Sequence, residues 1–214
     1  MPVVTGFAPD PRHPGYCVVE VDRGRFASLP VEVLVPLRLE IGQGLSREAL
    51  ERLQAAADAE AAARAALRAL ARRPYARVDL GRRLVRKQHP PAAVERALER
   101  MAAQGLLDDR RYAEHFAATR AARGRGPVRL VSDLVRQGVE RRAAEAAVRA
   151  ALTAEGIDPG AAVRRVTERR AAQLGALPPA VKRRRLLAYL ARRGYEGYAV
   201  RAVVEEVLAL YSLG

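Results

Sequence analysis

One block recurs three times along the chain and restricts the fold more than any other feature. Take Gln88, Gly138 and Gly194 as anchors. Leu80, Leu130 and Leu186 stand eight residues upstream, and Leu84, Leu134 and Leu190 four upstream. Arg86, Arg136 and Arg192 stand two upstream. Val94, Ala144 and Val200 follow six residues after the anchors, Leu98, Val148 and Val204 ten after, and Met101, Ala151 and Val207 thirteen after. The register holds without a gap. Leucines four apart line one face of a helix, and the downstream apolar positions line one face of the next. A Gly anchor suits the left-handed position just past a helix end. A helix-prone segment precedes each block, at Ala62–Leu70, Arg110–Arg120 and Ala161–Leu174. The expected fold is therefore mainly α, with three tandem three-helix repeats in an elongated arrangement.

The N-terminal part reads differently. Pro and Gly crowd TGFAPDPRHPGY, which reads as loop. Tyr16–Val21 is β-prone, and Asp22-Arg-Gly-Arg25 separates it from Phe26–Leu29, suggesting a hairpin. A helix-like pattern from Leu34 is broken by Gly42 and Gly44, and Ser46 is placed to cap a helix carrying Leu50 and Leu53. The expected boundaries are an N-terminal β-hairpin and helix segment at 1–58, then repeats at 59–106, 107–156 and 157–214. Between the first two repeats, Gly105 would end a helix and Asp108 would cap the next, with Leu107 and Tyr112 as a hydrophobic staple.

Composition narrows the function. Aromatic residues are 5% of the chain and Trp is absent, so Ala and Leu must fill the interior. The net charge is +14, yet residues 1–60 carry −3 and the remainder +17. Nearly all the cations are Arg, whose planar fork matches phosphate and carboxylate. Such a chain is expected to approach polyanions with strong salt dependence. The alternative is that these arginines only solvate helix faces. The basic clusters are Arg82, Arg83, Arg86 and Lys87; Arg120, Arg123 and Arg125; and Lys182, Arg183, Arg184 and Arg185. Arg86, Arg136 and Arg192 sit about 200° around the helix from the core leucines and should point outward, in a row if the repeats stack alike. Arg193 adjoins this set. Few aromatics argue against base stacking, so phosphates are the expected DNA contact.

Chemistry is not expected. There is no P-loop pattern, and Gly124-Arg-Gly126 is too short for a dinucleotide fingerprint. His13, His89 and His115 lie far apart without acids at metal spacing, so no metal and no cofactor is expected. Cys17 reads as a small core residue, and Asp108 with Asp109 as helix-capping acids rather than a catalytic pair. No apolar run suits a membrane span and no secretory leader is visible, and the one cysteine allows no disulfide framework, which points to a reducing cytoplasm.

The order and spacing of these pieces resemble the RecX family. The resemblance is carried by Gly105-Leu-Leu-Asp-Asp-Arg-Arg-Tyr-Ala113, by Gly124-Arg-Gly-Pro127 with Leu130, Leu134 and Gln137-Gly-Val139, and by Leu186-x3-Leu190-Ala-Arg-Arg-Gly-Tyr195. It covers roughly residues 60–210. The first repeat departs from the family pattern. Ala76 stands where a Ser cap is usual, a loss of about 1 kcal/mol at that helix start. Gln88 replaces the helix-ending Gly, a penalty on the order of 1 kcal/mol. The resemblance implies a non-enzymatic, monomeric regulator that binds RecA and the groove of its DNA filament, and dampens ATP hydrolysis, strand exchange and co-protease activity in DNA repair, recombination and the SOS response. The alternative is a helical DNA-binding module, of nucleoid or helix-turn-helix type, acting without RecA.

Overall fold

A computed structural model describes residues 1–210. Three antiparallel strands, β1 (Val4–Pro9), β2 (Tyr16–Val21) and β3 (Gly24–Pro30), form a sheet in sequential order. A short helix α1 (Val31–Leu34) and a 3-10 turn (Val35–Leu37) follow. Nine longer helices complete the described residues: α2 (Arg47–Leu70), α3 (Arg77–Arg86), α4 (Pro91–Ala103), α5 (Asp109–Ala121), α6 (Pro127–Arg136), α7 (Arg141–Ala154), α8 (Pro159–Gln173), α9 (Pro179–Arg193) and α10 (Tyr198–Leu210). The helices form tandem sets of three, as the repeat predicts.

The repeat lies at the centre of the packing. Every apolar position shared by the three blocks, from Leu80 to Val207, is buried. Burying each leucine contributes roughly 2 kcal/mol. The anchors end their helices alike. Gln88, Gly138 and Gly194 have φ of 66°, 94° and 84°. The next residue's amide then donates back to the leucine carbonyl four before the anchor, at 3.2 Å (His89 to Leu84), 3.1 Å (Val139 to Leu134) and 3.0 Å (Tyr195 to Leu190). This is the Schellman closure, and it exposes a left-handed residue that Gly occupies most cheaply. Helix starts follow two rules. Ser46, Asp108, Glu140 and Asp158 accept from first-turn amides. The other device is Pro in the first turn, at the starts of α4, α6, α8 and α9.

The chain divides into two compact units. The first holds Met1–Pro74 with Leu80–Leu107, and the second holds Tyr75–Asp79 with the residues from Asp108 onward. In the first, Val4, Val19, Leu29, Leu45 and Leu53 form the core beneath the sheet. Ala62 and Ala63 of α2 meet Ala93 and Ala97 of α4, small residues that let helix backbones approach closely. A buried acid joins these layers. Glu60 accepts from the Tyr16 hydroxyl at 2.8 Å, from Arg64 at 3.1 Å and from Arg100 at 3.0 Å, and Arg64 donates onward to the Ser28 carbonyl at 3.1 Å. In the second unit, Ala113, Ala117 and Ala121 of α5 pack with Ala144, Ala147 and Ala151 of α7. The core of α8 to α10 is built on Leu186, Leu190 and three valines, Val200, Val204 and Val207.

The N-terminal segment differs from the expected hairpin. The hairpin exists as β2 and β3, and its turn residues are Asp22 and Arg23, both at positive φ (50° and 63°). Residues read as loop, however, form β1. Val4, Phe7 and Ala8 pair with Val21, Val19 and Val18, and a bulge between Val4 and Gly6 absorbs the irregular spacing. Pro9 ends the strand, where a missing amide costs no ladder bond. The helix expected from Leu34 starts earlier and stops within one turn, and the chain reverses at Arg38 (φ 47°). The helix capped by Ser46 and the segment Ala62–Leu70 are one continuous α2, so position 58 falls inside a helix.

The missing Ser cap at position 76 has a structural answer. The Arg77 amide at the start of α3 donates to the Asp109 carboxylate at 2.7 Å, and Ala76 is fully buried in the second unit's core. Asp108 caps α5 through the Arg111 amide, so the two adjacent acids serve two different helices.

Two predictions follow from these local features. Gln88→Gly relieves the left-handed strain and raises stability by about 1 kcal/mol in urea unfolding. The second concerns Asp10, which is buried and bonded to the Ser28 hydroxyl, the Arg12 amide, His13 and Arg25. The Ser28 hydroxyl foremost, then the Arg12 amide and His13, hold its carboxyl well below the ordinary carboxylate range against the opposing effect of burial. Because the folded value is depressed, its contribution is present above the unfolded value of about 4 and is lost as pH falls below it. Asp10→Asn should flatten the acid limb of the stability profile below about pH 4, measured by thermal melts across pH.

Candidate nucleic-acid interface

The basic side chains of the second unit do not spread evenly. Six arginines, Arg120, Arg123, Arg125, Arg129, Arg192 and Arg193, line one basin of about 590 Å³. They come from the end of α5, the α5–α6 turn, the first turn of α6 and the last turn of α9. Two glycines bring these segments together. The Gly126 amide donates to the Arg193 carbonyl at 2.7 Å. A Cβ on Gly126 would lie 2.3 Å from the Gly194 carbonyl oxygen, and a Cβ on Gly194 would lie 2.3 Å from Arg129. Only bare backbone permits that approach.

Four of the six guanidinium groups are held in place. Arg120 stacks on the Phe116 ring at 3.7 Å. Arg193 lies over the Tyr189 ring at 4.9 Å and donates to the Gly124 carbonyl at 3.3 Å. Arg125 and Arg129 both reach Asp133, at 2.5 and 3.1 Å. Asp133 is buried in the middle of α6 and also accepts from Arg136. One buried carboxylate thus orients three cations while neutralising one charge, so the basin stays strongly positive. Arg123 and Arg192 are exposed and make no ion pair with a described residue. Next to the basin, burial pushes the Tyr195 hydroxyl above its ordinary value.

Of the expected site residues, Arg120, Arg123, Arg125, Arg192 and Arg193 converge here. Arg136 is exposed and bound to Asp133 outside the basin lining. Lys182, Arg183, Arg184 and Arg185 lie at the other end of α9, about 15 Å along its axis from Arg192. There Arg183 pairs with Glu205. Arg82, Arg83 and Arg86 lie on α3 and Lys87 just past its end, all in the first unit, with Arg86 and Lys87 exposed. Sequence reasoning missed Arg129 and Asp133. Their signal was present, since Asp133 is the single acid of α6 and stands four residues after Arg129 and three before Arg136. Among the described residues, no group of three or more His, Cys, Asp or Glu is placed to hold a metal ion, and no helix is long and apolar enough to cross a membrane.

Fold and site together define a class: tandem three-helix repeats that carry a preorganised arginine basin. Comparison with known proteins supplies the family. Family models for the first and second three-helix domains of RecX match residues 62–101 and 108–148. The regulatory protein RecX of Halorhodospira halophila is 41% identical over 151 residues, 70% of this chain and 89% of that protein. Regulatory protein RecX of Thermobifida fusca is 40% identical over 149 residues, 67% of this chain and 77% of that protein. A crystal structure of regulatory protein RecX shares the fold with a TM-score of 0.73 at 18% identity, covering 96% of this chain and 100% of that one. RecX from Lactobacillus salivarius gives a TM-score of 0.59 at 18% identity, covering 70% of this chain and 96% of that one. The chain belongs to the RecX family of regulatory proteins.

Asp133→Asn removes the common acceptor of three arginines. It should cost about 1–2 kcal/mol in urea unfolding, because its partners remain half-exposed and partly solvated.

Proposed function

We propose that this chain is a non-enzymatic regulator of the recombinase RecA that lies along the groove of the RecA–DNA filament and dampens its activities. It acts in the cytoplasm as a monomer and needs no cofactor. The family membership supports the regulatory role, since the relatives are named regulatory proteins. The basin of six arginines is the observation that supports contact with the filament's DNA. Guanidinium groups held by Phe116, Tyr189 and Asp133 lose little freedom on meeting a phosphate. The scarcity of exposed aromatics fits contact with backbone rather than with stacked bases. We further assign the bridging of successive RecA subunits to the three repeats expected at 59–106, 107–156 and 157–214, the first of them entered through the continuous α2 and the last four residues of the third lying outside the described residues. The bases of the DNA are then left to the recombinase.

The test titrates the full chain into RecA's DNA-dependent ATPase and follows co-sedimentation with filaments. Inhibition is expected well below one chain per RecA. In a salt series, Arg192→Gln should weaken filament binding and lower the log–log slope by about 0.7–0.9. No inhibition and no co-sedimentation would overturn the proposal. Tight binding to naked duplex at physiological salt, without any effect on RecA, would support a DNA-binding module instead.

A further inference from the structure

A second hollow opens beside the arginine basin and shares two of its walls. It has a volume of about 490 Å³, and Arg123 and Arg193 line both spaces. Its character is different. Ala122, Ile157, Ala162 and Val166 give it an apolar lining, the Tyr189 ring is covered by the guanidinium groups of Arg170 and Arg193, Arg165 and Arg169 are cationic, and Glu155 is the one acid. Each volume lies in the range of small-ligand sites, about 300–1,000 Å³. The pair forms one strongly cationic compartment joined to one mixed compartment.

The charge density of the basin selects among anions. A nucleic-acid backbone carries one charge per nucleotide and passes its phosphates in a line. Here six arginines face a single volume, and the buried Asp133 offsets only one of them. A compact polyphosphate, with several charges on one short chain, can meet several of these guanidinium groups within that one volume. The neighbouring hollow then has a use. It can take the base and sugar attached to such a chain, with apolar side chains against the ring faces. Glu155 can accept from an exocyclic amino group.

We infer that the basin and the adjoining hollow together bind a nucleoside triphosphate, with its phosphates among Arg120, Arg123, Arg125, Arg129 and Arg192 and its base in the hollow beyond Arg193. The inference deepens the proposed function by naming a small ligand for the same basin, and it rests on that reading only for the basin being an anion site. A nucleotide held there competes with the DNA backbone for the same guanidinium groups. Filament binding by this chain would then weaken as nucleotide rises.

The experiment is calorimetric titration of the full chain, in magnesium-free buffer at physiological ionic strength. The probes are ATP, inorganic triphosphate, AMP, adenosine and a short oligothymidine. ATP is expected to bind about tenfold or more tighter than AMP, and measurably tighter than inorganic triphosphate. Arg123→Gln with Arg192→Gln should reduce ATP affinity by about tenfold or more. Arg184→Gln with Arg185→Gln, a matched charge change at the other end of α9, should leave it unchanged. Equal losses in both double variants would show attraction to net charge alone and overturn the inference. Equal affinity for ATP and inorganic triphosphate would overturn the role of the hollow. Oligothymidine that binds through Arg123 and Arg192 and is not displaced by ATP would also overturn it, while leaving the filament proposal standing. Loss of RecA inhibition with intact ATP binding would do the reverse.

Discussion

The hydrogen bond from the Gly126 amide to the Arg193 carbonyl is the contact on which the second unit's surface depends. It joins the turn that opens α6 to the turn that closes α9. The two backbones meet so closely that neither Gly126 nor Gly194 can carry a side chain without pushing the other away. Arginines separated by some seventy residues in the chain thereby share one basin. Without that seam they would be scattered cations on separate helix faces, each worth little alone.

Buried acids set the second level of order. Glu60 ties strand β2, helix α2 and helix α4 together through Tyr16, Arg64 and Arg100. Asp133 does the same for three arginines around α6. Each acid is surrounded by more cationic groups than it can neutralise. Such a site orients guanidinium groups without cancelling their field. In a chain with a net charge of +14, a few well-placed carboxylates therefore hold some cations in place, while others, such as Arg123 and Arg192, stay exposed.

Much of the helical architecture was legible because it rests on local rules. Leu80 and Leu84 four apart, with Val94, Leu98 and Met101 at steps of four and three and their counterparts in the other blocks, carry a period that a helix satisfies and a strand does not. The closure at Gln88 shows how strong that rule is, since the left-handed turn persists without its Gly. The N-terminal part was less legible. Strand β1 is short, broken by a bulge and rich in Pro and Gly, so its alternation is weak until β2 lies beside it. The continuity of α2 across residue 58 was hidden because Ala-rich segments lack a sharp amphipathic stripe. The site divides in the same way. Arg120, Arg123, Arg125, Arg192 and Arg193 stand out as charges, but nothing in their spacing shows that they meet; the spacing of Asp133 from Arg129 and Arg136 is a local signal, whereas its burial and its pairing with Arg125 come from the tertiary structure.

By itself the sequence determined the helix faces, their ends and the threefold repeat, because periodicity, capping and left-handed closure act over a few neighbouring residues. It also determined that the charge is basic, carried by arginine and concentrated after the N-terminal segment. Only the tertiary structure decided which arginines face one another, which are held by Phe116, Tyr189 or Asp133, and which, like Lys182 to Arg185, stand apart. The reason is physical: convergence depends on contacts between residues distant in sequence, and these follow from close backbone approach at Gly126 and Gly194, which no local pattern encodes.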